Sequence, residues 1–209
     1  MKYLLVLISL CSSTLVYAQS PAAEQQLEAF ASNLTSFSSN FSQQIRSPNG
    51  ILDEPETGRF QLLRPNLFRW DYHGQYPQQI IADGQQVWIY DLELEQVSVK
   101  PQAQSVAESP ALVLLQPQNL AQHFIVTELG EDGNGAGLLA LTPRVKNASF
   151  DRILISLSNN LPQLLILEDG FGQRTEISFT QQQINPEIEI EQFRFSAPEG
   201  TDVIGAELP

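Results

Sequence analysis

The sequence predicts a mainly β fold, in which an antiparallel sheet or barrel is accompanied by a few short helices. Short apolar runs recur along most of the 209 residues and are separated by turn signals such as Asp83-Gly84, a dipeptide that favours a hairpin. Strands do not alternate with long helices, so a parallel sheet built from βαβ units is not expected. The length fits one domain.

The first residues are typical of a secretory signal peptide. Lys2 precedes an apolar run over residues 4–10, and Val16-Tyr17-Ala18 has the usual cleavage spacing. The polar residues 12–14 interrupt the run before the ~20 apolar residues that a membrane span needs, although an uncleaved anchor remains the alternative. Cys11 follows a short run and a leucine, so we do not expect it to be lipidated. We predict a signal peptide over residues 1–18 and a single domain over residues 19–209.

Charge and cysteine content exclude several classes of protein. The formal net charge is −13, which disfavours binding to nucleic acid and free adsorption to anionic membranes, although solubility alone explains most of these charges. Cys11 is the only cysteine, so the mature chain would contain no disulfide and no thiol nucleophile.

Periodicity predicts the elements in order. Apolar residues at helical spacing predict an amphipathic helix over residues 24–37. Residues 38–46 fit either period and are assigned as a strand. A short helix over residues 109–116 begins with Ser109 and Pro110, which suit a helix start. The remaining predicted strands cover residues 58–64, 67–72, 78–82, 86–91, 95–100, 123–129, 137–141, 149–158, 163–168, 175–181 and 192–196.

Catalytic patterns are scarce. His73 and His123 are the only histidines, and each lies where a solvated residue is expected. No pair of metal ligands has a suitable spacing, and neither a nucleophile elbow nor a phosphate-binding glycine loop occurs. We therefore expect no catalytic residue, metal or cofactor, with a carboxylate-based secreted hydrolase as the weaker alternative.

Aromatic side chains are the more informative feature. Phe68, Trp70 and Tyr72 alternate along one predicted strand and must share a face, as must Trp88 and Tyr90 on another. They form either an ordinary core or the wall of an apolar cavity. The strand over residues 86–91 is apolar on both faces, which requires a cover on each side.

Several motifs resemble the LolA family of outer-membrane lipoprotein carriers. The more specific are Arg64-Pro65-Asn66-Leu67-Phe68-Arg69-Trp70 and residues 81–91, which are followed by Glu95-Gln96-Val97. Residues 139–144, 169–175 and 193–203 add weaker matches. The residues before His123 and the tail over residues 204–209 depart from the family pattern.

The resemblance implies a fold and a role. The fold would be an unclosed, strongly curved antiparallel β-barrel with short α-helices forming a lid over a hydrophobic cavity. The protein would be a monomeric, non-enzymatic periplasmic chaperone that takes acylated lipoproteins from an inner-membrane LolCDE-type ABC transporter to an outer-membrane LolB-type receptor. The alternative is a LolA-like carrier or sensor of a free lipid or mislocalised lipoprotein.

The resemblance also implies roles for individual residues. Arg64 matches the arginine that bonds the lid-helix backbone and keeps the empty cavity shut. The predicted contacts to acyl chains are Phe68, Trp70, Trp88, Tyr90, Leu112 and Leu115.

Overall fold

The computed structural model describes residues 22–51, 54–102, 111–145 and 150–205. The predicted signal peptide with Cys11, the predicted helix start at Ser109 and Pro110, and the side chain of Leu112 lie outside the described residues. Within the described part of the chain, no helix is both long and apolar enough to cross a bilayer.

One sheet of thirteen strands contains most of the described residues. The strands are β1 Ser36–Ser47, β2 Gly50–Ile51, β3 Glu56–Leu63, β4 Leu67–Tyr72, β5 Gln78–Ala82, β6 Gln86–Asp91, β7 Gln96–Pro101, β8 Phe124–Glu131, β9 Gly137–Pro143, β10 Arg152–Ser158, β11 Leu161–Glu168, β12 Arg174–Ile184 and β13 Asp202–Gly205. Their order is β13-β7-β6-β5-β4-β3-β1-β12-β11-β10-β9-β8, with β2 paired to β1. The sheet thus begins and ends on different strands and is unclosed.

Pairing is antiparallel from β7 to β8, as the short hairpins require. The exception is β13, which runs parallel to β7 and pairs Asp202 with Gln96. The sheet is therefore antiparallel except at this edge. The parallel pair arises because the chain returns from β12 across the sheet instead of turning back in a hairpin.

The sheet curves around a single apolar interior. Val87 of β6 and Leu139 of β9 lie near opposite ends of the strand order, yet they belong to one buried cluster. The two halves of the sheet must therefore bend towards each other. We call the face that carries this cluster the inner face. The predicted unclosed, curved antiparallel sheet with a few short helices is confirmed.

Short helical segments cover the inner face. They are α1 Ala23–Ser32, α2 Ala111–Leu115, a 3₁₀ turn Pro117–Asn119 and α3 Leu120–His123, which we together call the lid. Leu27 and Phe30 of α1, Leu115 of α2 and Leu120 of α3 belong to the same cluster as the inner face of the sheet. The lid therefore completes the core, because its apolar side chains fill the open side of the curved sheet.

The helical prediction extended too far at its C-terminal end. α1 ends at Ser32, and Phe37 is a strand residue that pairs with Leu62 of β3 and Ile184 of β12. Phe37 fits the helical spacing of the preceding apolar residues, but its hydrogen-bonded pairing with a strand on each side determines its conformation. The Phe37 ring still contacts the helix, because it meets the ring of Phe30 edge-on at 5.5 Å between centroids.

The C-terminal segment covers the opposite, outer face of the sheet. The predicted strand over residues 192–196 was wrong, because Ile190–Phe193 forms a 3₁₀ turn and the next residues pair with no strand. Phe193 is nonetheless 1% exposed, and the ring of Phe195 lies 5.4 Å from that of Trp88. The alternation of Phe193 and Phe195 therefore reflects packing on the outer face. Both faces of β6 are covered, as its apolar sequence requires.

Candidate functional site

A continuous group of aromatic rings forms one wall of the interior. The ring centroid of Trp70 lies 4.6 Å from that of Phe60 and 5.1 Å from that of Phe41, and Phe41 also meets Tyr72 at 5.0 Å. A Cβ on Gly58 would lie 2.7 Å from the Phe41 ring, so only glycine admits the ring at this position. Such pairs are worth about 0.5–1.5 kcal/mol each beyond their burial.

A cavity of about 230 Å³ opens beside this wall. Its lining is Gln43, Phe68, Trp70, Tyr72, Ile80, Leu167, Thr175 and Ile177. The Tyr72 hydroxyl donates a hydrogen bond to Gln43 Oε1 at 3.0 Å. Burial, and secondarily the nearby Glu56 carboxylate, raise the pKa of Tyr72 well above its ordinary range, although the bond to Gln43 opposes them. The hydroxyl therefore remains a neutral donor in a mainly apolar space.

A larger cavity of about 550 Å³ lies between the lid and the sheet. Its lining is Glu24, Leu27, Glu28, Ala31, Ser32, Arg64, Pro117, Leu120, Ala121, Val126 and Leu139. Side chains of α1, α3 and the inner faces of β8 and β9 contribute. The volume lies within the ~300–1,000 Å³ typical of small-molecule pockets. A displacement of α1 would enlarge this space, because α1 forms one of its walls.

Arg64 holds the C-terminal end of α1. Its Nη1 donates to the carbonyl oxygen of Ala31 at 3.1 Å, where a cation also complements the helix dipole. Among the described residues, its buried Nε and Nη2 atoms have no hydrogen-bond partner. Burial lowers the pKa of the guanidinium below its ordinary value. One hydrogen bond therefore fixes the helix end, at the cost of a partly desolvated cation.

Glu128 of β8 holds the other end of α1. Its carboxylate accepts hydrogen bonds from the backbone N–H groups of Ala23 at 2.8 Å and Glu24 at 3.2 Å. Ala22 precedes the helix without a side-chain cap, so this distant carboxylate satisfies two first-turn donors. The lid helix is thus attached at one end by Arg64, in the turn between β3 and β4, and at the other by Glu128 of β8. Each side chain has the charge that its end of the helix dipole favours.

The role of Glu128 was not predicted from the sequence. Glu128 pairs with Leu139 and lies two residues after Val126, which pairs with Leu141 on the inner face. Alternation places Glu128 on the same side of the strand as Val126, but Glu128 is exposed there, so burial does not require a partner for its carboxylate. Its contact with a distant helix could not be predicted from the strand alone.

We expect Glu128→Gln to loosen the N-terminal end of α1. The amide keeps an acceptor oxygen but loses the charge, so hydrogen exchange at the Ala23 and Glu24 amides should quicken by about 2- to 5-fold. Glu131→Gln, at the end of the same strand, removes an equal charge beside Gly137 and serves as the control. Equal exchange rates in both variants and the parent would show that the carboxylate does not hold the helix.

The structure brings only some of the predicted cavity residues together. Phe68, Trp70 and Leu115 are buried in the one inner cluster. Trp70 lies on the inner face and pairs with Ile80, so the next residue, Ile81, points to the outer face. Trp88 pairs with Ile81, and Trp88 and Tyr90 therefore lie on the outer face. Their expected inner position is corrected: both rings contact Phe195 on the outer face. Leu112 lies outside the described side chains.

Comparison with known proteins shows the family to which this chain belongs. A family model described as outer membrane lipoprotein carrier protein LolA matches residues 32–196, which is more than half of the chain. The chain belongs to the LolA family. The matched region of this LolA-family chain includes Arg64, Trp70 and Glu128 but almost none of α1. The attachment of α1 to Glu128 is seen only in the structure.

Two relatives named outer-membrane lipoprotein carrier protein cover most of the chain. The one from Methylobacillus flagellatus is 34% identical over 181 residues, which are 87% of this chain and 88% of the relative. The one from Xanthomonas oryzae pv. oryzae is 36% identical over 185 residues, which are 88% of each chain. A solved structure of an uncharacterized conserved protein from Thermus thermophilus has a TM-score of 0.54 at 13% identity, covering 87% of this chain and 96% of that one. The last likeness concerns the fold alone.

Proposed function

We propose that this LolA-family chain is a periplasmic lipoprotein carrier that shields acyl chains in its apolar interior. It would accept lipoproteins from an inner-membrane ABC transporter of the LolCDE type and pass them to an outer-membrane receptor of the LolB type. The names of its relatives support the cargo. The proposal requires binding and release but no covalent chemistry, and the carrier works as a monomer without a cofactor.

The observation that carries the proposal is the lidded apolar interior. Side chains from α1, α2 and α3 share one buried cluster with the inner face of an unclosed sheet. A carrier needs apolar surface that is hidden when empty, because a large exposed patch promotes aggregation. The lid provides that cover and is attached to the sheet by side chains such as Arg64 and Glu128, whose bonds can be exchanged for bonds to water.

The energetics of lipid transfer explain why such an interior is required. Each buried methylene is worth ~0.8 kcal/mol, so an anchor with several acyl chains is held in a bilayer by tens of kcal/mol in total. A lipoprotein therefore does not cross water unaided. The acidic chain, with a formal charge of −13, is repelled from anionic bilayers and so remains available for its partners.

Particular residues have distinct roles in this proposal. Phe68, Trp70 and Leu115 contact the acyl chains, and Arg64 keeps the lid closed in the empty state. Opening begins when the bond between Arg64 and Ala31 breaks and α1 moves away from the sheet. Side chains of α1 such as Leu27 then leave the interior, and the acyl chains take their place in it.

Binding of a triacylated lipopeptide tests the proposal. The purified protein without residues 1–18 is mixed with the lipopeptide in detergent, the detergent is removed, and the soluble fraction is examined by native mass spectrometry. We expect a one-to-one complex with the lipopeptide and none with the same peptide lacking acyl chains. Precipitation of the lipopeptide beside a folded, unliganded protein would contradict the proposal.

A further inference from the structure

The two tryptophans of the chain differ in how their indole N–H groups are satisfied. Trp88 Nε1 donates to Asp83 Oδ2 at 2.7 Å. Trp70 Nε1 is buried and has no hydrogen-bond partner among the residues that the structure describes, and the whole residue is 3% exposed. A buried tryptophan usually finds a partner for this group, so the unpaired donor of Trp70 is an exception that needs an explanation.

Aromatic rings make up much of the surroundings of Trp70. Its ring is flanked by the rings of Phe60 and Phe41, and an aromatic face accepts a hydrogen bond much less well than a carbonyl oxygen. The Tyr72 hydroxyl and Gln43 are bonded to each other, and neither accepts a hydrogen bond from Trp70 Nε1. The empty protein therefore keeps a strong donor unsatisfied on a side chain that lines the 230 Å³ cavity, with the Nε1 atom itself buried.

The chemistry of the cavity limits what the donor can bind. Among the residues that the structure describes, the lining contains aromatic, aliphatic and neutral polar side chains and no charged one. A carboxylate or phosphate would be desolvated there without a cation and is disfavoured. A neutral carbonyl attached to a hydrocarbon chain fits both features, because its oxygen accepts one N–H and its chain occupies apolar space.

We propose that Trp70 Nε1 donates a hydrogen bond to the ester or amide carbonyl that joins a bound acyl chain to its carrier molecule. Trp70 is then a specificity-determining residue that distinguishes an acyl group from plain hydrocarbon and sets how deep the chain enters. The inference rests on the proposed function, because it assumes that this cavity takes acyl chains.

The test compares methyl laurate with tetradecane, two probes of similar length of which only the first has a carbonyl. Both are titrated against a hydrophobic fluorophore bound to the parent protein, to Trp70→Phe and to Trp88→Phe. The Trp88→Phe variant also loses one indole N–H but on the outer face, so it is the matched control. Lost ring volume weakens both probes alike and cancels in the ratio of their affinities.

We expect the ratio of ester to alkane affinity to fall by about 2- to 12-fold in Trp70→Phe and to stay unchanged in Trp88→Phe. An unchanged ratio in Trp70→Phe, with both probes bound, would overturn the role of Trp70 and leave the proposed function intact. Failure of every variant and the parent to bind either probe would overturn the proposed function and this inference together.

A second measurement does not depend on the folding of Trp70→Phe. In Trp88→Phe, Trp70 is the only tryptophan, so its emission reports on its own N–H group. We expect methyl laurate to shift that emission to longer wavelength and tetradecane to leave it unshifted. Identical spectra with the two bound probes would overturn the hydrogen bond.

Discussion

Phe60→Ala is expected to lower the free energy of unfolding by about 3–5 kcal/mol. Phe60 is 0% exposed, and its ring lies 4.6 Å from that of Trp70, 6.2 Å from Phe37 and 6.3 Å from Phe179. It therefore joins β1, β3, β4 and β12 at the centre of the aromatic wall. Truncation removes the apolar contacts of a whole ring and leaves a void, because neighbours on three strands cannot all move in. Urea unfolding followed by circular dichroism measures the change.

Phe171→Ala is the matched control for this prediction. Phe171 lies in the hairpin turn between β11 and β12 and is 92% exposed, so the same truncation should change the free energy of unfolding by no more than about 0.5 kcal/mol. If the two variants lose similar stability, the Phe60 ring is not the centre of the core.

Arg64→Leu is expected to increase binding of a hydrophobic fluorophore to the empty protein by about tenfold. A hydrogen bond from a charged donor contributes about 1.5–3 kcal/mol, and the burial of the guanidinium with two unpaired groups offsets part of it. A net loss near 1.4 kcal/mol would raise the open population of the lid tenfold. Leucine fills similar apolar space, so the change removes the bond to Ala31 without emptying the core. Fluorescence titration measures the effect.

Arg59→Leu separates the lid contact from the loss of charge. Arg59 is exposed, and its Nε and Nη2 donate to Ser38 Oγ at 3.2 Å, away from α1. We expect its fluorophore binding to match that of the parent. Equal binding by Arg64→Leu, Arg59→Leu and the parent would rule out the restraint that we assign to Arg64.

Local patterns were sufficient where strands follow each other in hairpins. The predicted strands over residues 67–72, 78–82 and 86–91 coincide with β4, β5 and β6. The β5–β6 turn is closed by Asp83, whose Oδ1 accepts from the Gln85 and Gln86 N–H groups at 2.8 Å. Short apolar or alternating runs bounded by such turns are determined by a few neighbouring residues, so the sequence alone locates them.

Features that depend on pairing between segments far apart in the sequence were not predicted. Alternation shows that Trp88 and Tyr90 share a face but not which face, since that is decided by their register with β5 and by Phe195 more than a hundred residues later. The strand β13 has only four residues and exists because it lies beside β7. Phe37 fits both periods, and two partner strands decide its conformation.

In the candidate site too, local motifs could be recognised in the sequence, whereas contacts between distant segments could not. The motif around Arg64 and Trp70 indicated the family, and Arg64 does bond the lid helix where the resemblance implied. The attachment of Glu128 to α1 joins residues more than a hundred positions apart and could not be read from either segment. The unpaired Trp70 N–H likewise depends on which rings surround it.

Release of lipoproteins from spheroplasts tests the central claim most directly. The purified protein without residues 1–18 is added to Gram-negative spheroplasts that contain the cognate transporter and radiolabelled lipoprotein, with and without depletion of ATP. The carrier function predicts that labelled lipoprotein appears in the soluble fraction as a one-to-one complex with this chain, and only when ATP is present. Lipoprotein that stays in the membrane while the added protein remains folded would contradict it.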